Sequence, residues 1–287
     1  MQSYPDYKKD FYKELSDFAN SLTPHISTKN GEWSVKGFID AYKNIYTISS
    51  DTKVISKILE IHLFPKILGF AERIGYGVVL PTHQNYYPDL SFVNIHDERV
   101  KFAVDLKTTY RLDKYPGFCN GFTLGSHGEY FTNRKSTKNI QFPYGEYAGH
   151  FSLGIIYSRA DQNTLENTGV YQLEELSSIV SVINEFTFFA QEKWRIASDK
   201  SGSGNTANIG SIAKIEDLLA GNGVFSKLGE EWFDDYWMNY GKIRYKKKDG
   251  STAKITNLND FVSYRGGDVN LVVPKARRSR RKKKKDA

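Results

Sequence analysis

Residues 100–110, VKFAVDLKTTY, constrain the fold of this chain more than any other segment. Apolar side chains recur there at every second position, which places three of them on one face of a β-strand: Phe102, Val104 and Leu106. The opposite face carries Ala103, Asp105 and Lys107. The segment therefore predicts a strand with one apolar face and one face that bears charge.

Two helices are predicted before this strand. The first is amphipathic and ends near Pro24, because apolar residues recur at helical spacing: Phe11, Leu15, Phe18 and Leu22. The second covers residues 50–76, with Ser50 or Asp51 as its N-cap, Gly75 at its end and a kink at Pro65. Its apolar positions are Val54, Ile55, Ile58, Ile61 and Leu68.

Further elements follow the strand. Residues 151–157 and 185–190 are rich in aromatic and β-branched residues, which favours strands. Residues 229–240 predict a helix with an aromatic stripe that packs into the core: Trp232, Phe233, Tyr236, Trp237 and Tyr240. These elements predict an α/β fold, and a length of 287 residues fits one large domain, for which we expect residues 1–274.

The positive charge is concentrated at one end. Residues 275–287 hold nine basic residues and one acidic residue. Of the 40 basic and 33 acidic residues in the chain, 31 and 32 remain without them, so the rest is nearly neutral. A run of like charges favours a disordered arm that binds phosphates without sequence preference, although a terminus that only adds solubility has the same composition.

Composition also narrows the class of protein. A hydrophobic fraction of 39% and a charged fraction of 25% are typical of a globular protein. No apolar run approaches the roughly 20 residues that span a bilayer, and the first residues resemble no signal peptide. Cys119, the one cysteine, excludes a disulfide framework and suits a reducing compartment. We expect a cytoplasmic protein that binds no membrane.

Two carboxylates, those of Asp89 and Asp105, are candidates for a metal-binding catalytic site. Pro88-Asp89 precedes Asp105-x-Lys107 by a segment short enough to turn one strand back beside the other. Paired carboxylates suit Mg²⁺, which takes oxygen ligands and is usually held by one or two carboxylates plus a substrate phosphate. Lys107 can orient an attacking water or neutralise charge on the phosphate, and Glu60 can supply a third carboxylate. The alternative is that Asp105 and Lys107 form only a weak ion pair on an exposed strand face, which has the same sequence pattern.

Residues 198–211, SDKSGSGNTANIGS, form a segment of small and polar side chains that we call the small-residue segment. Gly202 and Gly204 let the backbone approach a surface that any Cβ would keep away. Asn205 matches the N6 and N7 atoms of adenine, and the Thr206 methyl group can pack against that of thymine. A flexible linker is an alternative, whereas a phosphate-binding P-loop lacks its lysine. The segment therefore favours contact with DNA bases.

Several of these stretches together resemble one family. SDTKV, NYYPD, DLKTTY, TKNI and GSGNTANIGS are similar, in this order and at compatible spacing, to the EcoRV family of type II restriction endonucleases. The resemblance runs from about residue 48 to residue 240, with a weaker similarity at YRGG, and leaves out the first 45 residues and the basic tail.

The resemblance implies a fold and a set of roles. The fold would be a restriction-endonuclease-like mixed β-sheet flanked by helices, with dimerisation and DNA-binding subdomains. Asp89, Asp105 and Glu60 would hold the metal, with Lys107 as the catalytic lysine, and Asp51 and Lys53 would support them. Base contacts would come from Gly202, Ser203, Gly204, Asn205, Thr206, Gln84 and Asn85. Backbone contacts would come from Thr108, Thr109, Lys138 and Asn208.

The same resemblance implies the activity. A homodimer would use Mg²⁺ to cut both strands of a DNA palindrome, GATATC, bluntly at its centre, leaving 5′-phosphate ends. A companion methyltransferase would protect the same site. Two alternatives stay open: a structure-directed or repair nuclease on this fold, and a DNA-binding protein without catalysis. The second would not need Asp89, Asp105 and Lys107 together.

Overall fold

The computed structural model describes residues 4–160, 169–202, 207–246 and 251–278. The helices are α1 (Tyr4–Ser21), α2 (Thr23–Ile26), α3 (Thr52–Arg73), α4 (Glu129–Thr132), α5 (Ile215–Ala220), α6 (Glu230–Asn239) and α7 (Leu258–Tyr264). The strands are β1 (Gly37–Ile39), β2 (Ile45–Thr47), β3 (Tyr76–Val79), β4 (Leu90–Asn94), β5 (Lys101–Tyr110), β6 (Thr123–Ser126), β7 (Tyr147–Arg159), β8 (Val170–Tyr171), β9 (Ile183–Glu192), β10 (Ala197–Ser201), β11 (Asn208–Ser211), β12 (Arg244–Lys246) and β13 (Thr252–Lys254).

The central sheet has five strands in the order β3-β4-β5-β7-β9. β3, β4 and β5 are antiparallel neighbours, β5 and β7 run parallel, and β7 and β9 are antiparallel. The strands predicted at residues 100–110, 151–157 and 185–190 are the middle and one side of this sheet. The predicted mixed sheet flanked by helices is confirmed.

Alternation along β5 divides the interior into two cores. Phe102 and Val104 face a first core that α1 and α3 cover, and Ala103 faces a second core. α6 and α7 pack into the second core through Phe233, Tyr236 and Phe261, among others. The aromatic stripe predicted on residues 229–240 is therefore a packing surface, as the sequence indicated.

Both predicted helices form, but the apolar pattern of α3 was misleading. Asp51 caps α3, its side chain accepting from the amides of Lys53 and Val54, and the helix continues through Pro65. Val54, Ile61 and Leu68, predicted among its apolar positions, are exposed, while the buried side carries Leu59, Leu63 and other residues. Apolar residues occur on both sides of this helix, so periodicity alone could not select the buried one.

The small-residue segment belongs to a second, three-stranded sheet of order β10-β11-β6. β10 and β11 are antiparallel and form a two-stranded stem. At the end of this stem next to residues 203–206, the Gly202 amide donates to the Asn208 carbonyl (2.8 Å). β11 also pairs with β6, where Asn208 lies opposite Ser126. Residues 203–206, which connect β10 to β11, lie outside the described residues.

The start of the basic tail packs on the protein. Lys275 forms an ion pair with Asp199 of β10, and the Arg278 guanidinium donates to the Cys119 carbonyl (3.3 Å). Two residues of the predicted disordered tail, Lys275 and Arg278, thus contact the body of the chain, while residues 279–287 lie outside the described residues. Among the helices that the structure describes, none is long and apolar enough to cross a membrane.

Candidate active site

Strand pairing brings the two predicted carboxylates together. Asp89 immediately precedes β4, whose Leu90 pairs with Val104 of β5, so Asp89 lies beside Asp105. The Asp89 amide donates to Asp105 Oδ1 (3.2 Å), and the Leu106 amide donates to Asp89 Oδ2 (2.8 Å). Backbone amides therefore fix both side chains at the start of the β4–β5 pair.

Lys107 completes a triad of charges on the same face of β5. Its Nζ lies 3.0 Å from Asp105 Oδ2 and 3.9 Å from Asp89 Oδ2. Asp105 is 5% exposed, whereas 43% of the Asp89 side chain is exposed. Asp105 is thus held within the protein, and the Asp89 carboxylate can reach an incoming ligand.

The surroundings shift the pKa values of Asp89 and Lys107. Loss of surrounding water raises the pKa of Asp89 to about 6; the Asp105 carboxylate adds to this rise and Lys107 opposes it. Burial lowers the pKa of Lys107, but the attraction of Asp105 and Asp89 outweighs it and leaves that pKa raised. Lys107 is therefore a fixed cation, while Asp89 binds a proton more readily than an ordinary carboxylate.

The triad forms part of the wall of a cleft of about 520 Å³, which we call the catalytic cleft. Four further residues that the sequence associated with DNA line the same cleft: Gln84, Asn85, Lys138 and Asn208. Asn208 comes from the stem of the small-residue segment, and Lys138 from the loop after α4. The structure thus brings most of the predicted contact residues within the described ranges to one cavity.

A second groove of about 510 Å³ adjoins the cleft, and Gln84 lines both. Glu60, Lys53, Thr108 and Thr109 line this groove instead of the catalytic cleft. Glu60 forms an ion pair with Lys57 of its own helix, and the Thr108 hydroxyl hydrogen-bonds Ser56. Thr109 is 3% exposed, and its hydroxyl is directed to the Gly121 carbonyl (3.5 Å).

The residues present fit a divalent cation of the Mg²⁺ type at Asp89 and Asp105. Both offer carboxylate oxygens, the ligands that Mg²⁺ prefers, and two carboxylates plus a phosphate form a usual set. Within the described ranges, no group of three or more His, Cys, Asp or Glu side chains is arranged to hold a metal. Glu60 is accordingly not clustered with the other two, and its predicted role as a third ligand stays a prediction.

Several predicted base-contact residues lie outside the described residues, namely Ser203, Gly204, Asn205 and Thr206. Gly202 is described, and a Cβ there would lie 2.7 Å from the Thr123 methyl group of β6, so a larger residue at this position would displace Thr123. Asp51, predicted to support the site, is the N-cap of α3. These roles stay predictions.

Sequence reasoning missed the layer beneath the cleft. Tyr87, Tyr130, Tyr144 and His150 pack there, with the Tyr144 and His150 rings stacked at 3.7 Å and the Tyr87 hydroxyl 2.9 Å from His150 Nδ1. Lys193 lies among these rings. Apart from Tyr87, which precedes Asp89 by two positions, the residues are distant from the carboxylates in the chain and follow no period, so no sequence pattern associates them with the site.

Comparison with known proteins agrees with this geometry. The family model described as restriction endonuclease EcoRV matches residues 29–266. The type II restriction enzyme EcoRV of Escherichia coli is 37% identical to this chain over 254 residues, which are 88% of the chain and 98% of that enzyme. The region that the family model matches contains the triad, both grooves and the small-residue segment.

Proposed function

The chain belongs to the EcoRV family of type II restriction endonucleases, which are site-specific deoxyribonucleases, and from this premise we propose its target and chemistry. The proposed substrate is double-stranded DNA containing GATATC, cut bluntly at its centre with Mg²⁺ as the cofactor. The products carry 5′-phosphate and 3′-hydroxyl ends. The observation that carries the proposal is the Asp89–Asp105–Lys107 triad in a cleft shared with the stem of the small-residue segment.

In this mechanism the residues of the triad have different roles. Asp89 and Asp105 would hold Mg²⁺, which supplies positive charge to the scissile phosphate and makes an attacking water more acidic. Lys107, whose raised pKa keeps it a cation at neutral pH, orients that water and offsets charge developing on the phosphate. The amides of Asp89 and Leu106 keep the carboxylate oxygens in place.

DNA would lie across the catalytic cleft and the second groove. Lys138 and Asn208 line the catalytic cleft at positions from which they can contact the phosphate backbone. Gln84 lines both the cleft and the second groove, and Asn85 lines the cleft. We propose that Asn205 and Thr206 contact adenine and thymine in the major groove, where the two base pairs are distinguishable. The stem formed by β10 and β11 supports this proposal, because it starts at the cleft wall.

A homodimer is proposed because a two-fold axis matches a palindrome and an apolar surface is available for it. In the sheet of β1, β2 and β8, Phe38 pairs with Tyr46 and Tyr46 with Val170, so the three side chains lie in a row on one face. All three are exposed. Such a row suits a second copy of the same surface. The protein would act in the cytoplasm beside a methyltransferase that modifies the same site.

A digest tests the proposal. Purified protein is incubated with a large unmethylated phage DNA in Mg²⁺, in EDTA, and as the Asp105→Ala variant, and the fragment ends are sequenced. Discrete Mg²⁺-dependent fragments with blunt ends at GATATC are expected from the wild type alone. A common palindrome other than GATATC would refute the target. A smear would favour a structure-directed nuclease on this fold, and intact DNA that shifts on a gel would favour a binding protein.

A further inference from the structure

A buried lysine lies one layer beneath the carboxylates of the site. Lys193 follows β9 directly and is 3% exposed. Within the described parts of the chain, its Nζ has no hydrogen-bond partner. Three aromatic rings enclose it instead, with centroids 4.8 Å away for Tyr87 and 5.3 Å away for Phe131 and Tyr144. Aromatic faces attract a cation, but they replace lost hydration only in part.

This aromatic cage (Tyr87, Phe131 and Tyr144) is joined to the catalytic residues. Tyr87 directly precedes Pro88 and Asp89, and its ring stacks on that of Tyr130 at 5.4 Å. The Tyr87 amide and carbonyl are both hydrogen-bonded to the segment at residues 139–141 (3.0 and 2.8 Å). Tyr87 therefore connects the cage to the backbone that carries the Asp89 carboxylate.

The cage borders the catalytic cleft, because Tyr87 belongs to both. Gly125 of β6 lines the catalytic cleft, and a Cβ on it would lie 3.6 Å from Lys193 Nζ and 3.1 Å from the Tyr130 hydroxyl. Its φ of +82° is one that residues with a side chain rarely adopt. The positive charge of Lys193 is thus close to the space that a scissile phosphate would enter.

Charged groups of both signs face Lys193. Burial, helped by the nearby charges of Arg134 and Lys107, lowers its pKa from 10.5 to about 7, against the attraction of Asp105 and Asp234. Asp105 and Lys107 come from β5, Asp234 from α6, and Arg134 from the turn after α4, where it pairs with Asp234 (2.8 Å). A bound phosphate would favour the protonated lysine, because it adds negative charge nearby.

We propose that Lys193 is a positioning residue of the cleavage site. Its ammonium group holds the Tyr87 ring and thereby the backbone that carries Asp89. It also places a positive charge behind the scissile phosphate. It touches neither substrate nor metal. This inference rests on the proposed function, since it assigns Lys193 to hydrolysis in the same cleft. The unfavourable burial of an unpartnered ammonium is consistent with a residue that serves activity at the expense of stability.

The test is Lys193→Met, which keeps the length of the side chain and removes the charge. Lys101→Met is the matched control, because Lys101 Nζ also lies over an aromatic ring, 5.2 Å from the centroid of Phe142, but that ring does not belong to the aromatic cage. For Lys193→Met we expect kcat for cleavage to fall about tenfold or more. The lost charge would lie close to the scissile phosphate and act on it through an effective dielectric of about 20. KM for DNA is expected to stay unchanged, as is cleavage by Lys101→Met.

Stability supplies a readout independent of activity. Because the folded protein binds the Lys193 proton less tightly than the unfolded chain, wild-type stability rises as pH increases from about 7 toward 10. Lys193→Met lacks this rise, and its urea midpoint at neutral pH is expected to equal or exceed that of the wild type. The same measurement on Lys101→Met gives the effect of removing a lysine elsewhere.

Each other outcome overturns the inference. Unchanged cleavage by Lys193→Met shows that the charge plays no part, and a raised KM with unchanged kcat shows direct DNA contact instead. A lower urea midpoint with a parallel loss of activity shows that the lysine is only structural. If the wild type cuts no DNA at all, the proposed function fails, and a lower urea midpoint for Lys193→Met would then overturn the inference separately.

Discussion

Asp89→Asn is expected to stabilise the metal-free protein while abolishing cleavage. The side chain of asparagine has nearly the same shape, and its Oδ1 can still accept from the Leu106 amide, which donates to Asp89 at 2.8 Å. The substitution removes one of two neighbouring carboxylates that repel each other. It also removes a ligand that the proposed hydrolysis requires, so activity and stability should change in opposite directions.

The size of the effect follows from the protonation of Asp89. Its pKa rises from 3.8 to about 6 on folding, which corresponds to about 3 kcal/mol if the group were fully shielded from water. Because 43% of the side chain is exposed, solvent screening reduces this to about 1 kcal/mol. A raised carboxyl pKa stabilises the fold at low pH, and that stabilisation is lost as pH rises from about 4 through 6.

The assay is urea unfolding in EDTA over a range of pH. The free energies of unfolding of wild type and Asp89→Asn should be separated by about 1 kcal/mol more at pH 7.5 than at pH 4, in favour of the variant at neutral pH. Mg²⁺ should then stabilise the wild type more than the variant. Asp235→Asn is the control, because it removes a carboxylate that pairs with Arg265 (2.9 Å) outside both grooves.

A variant that is less stable than the wild type at neutral pH would refute this reasoning. So would a gain that Asp235→Asn shares, because the effect would then be general and unrelated to the Asp89–Asp105 pair. Residual Mg²⁺-dependent cutting by Asp89→Asn would contradict its role as a ligand.

Three further predictions concern DNA and assembly. Asn205→Ala should cost about 1–3 kcal/mol in discrimination for adenine, measured as the ratio of cleavage rates on matched and substituted sites, and an unchanged ratio would exclude a base contact. Removal of residues 279–287 should weaken nonspecific binding and flatten the dependence of log K on log salt by about 0.9 for each DNA phosphate that these residues neutralise; an unchanged slope would show that the tail binds no DNA. Phe38→Asp should shift the protein to monomers in analytical ultracentrifugation, whereas Ile95→Asp, at another exposed apolar site, should not; a dimeric Phe38→Asp variant would place the interface elsewhere.

The carboxylate pair was predictable from the sequence because its geometry is local. Alternation fixes the face of β5 that carries Asp105 and Lys107, and a short connection makes β4 antiparallel to it. The position of Asp89 follows from those two facts. Helical spacing predicted α1, a capping residue and a terminal glycine predicted α3, and aromatic and β-branched residues predicted β7 and β9, whereas β3 was not predicted.

Other features depended on packing between distant segments. Glu60 and Asp89 are both acidic residues near the cleft, but the placement of α3 over the first core directs Glu60 to the neighbouring groove. Lys193 has the sequence context of an ordinary surface lysine, and only the convergence of Tyr87, Phe131 and Tyr144 buries it. Neither arrangement leaves a periodic signal, so neither could be derived from spacing.

The position of strand β6 matters for an enzyme that must not cut the wrong site, because the strand connects the small-residue segment to the cleft wall. One of its edges pairs with β11 through Ser126 and Asn208, and its residues Gly125 and Ser126 form part of the cleft wall. The Ser126 amide donates to the Tyr130 hydroxyl (2.9 Å), which ties the strand to the layer below. If the small-residue segment contacts bases as proposed, a base pair that does not fit it would strain the same strand that shapes the cleft, and a mismatch would thereby disturb the site of cleavage.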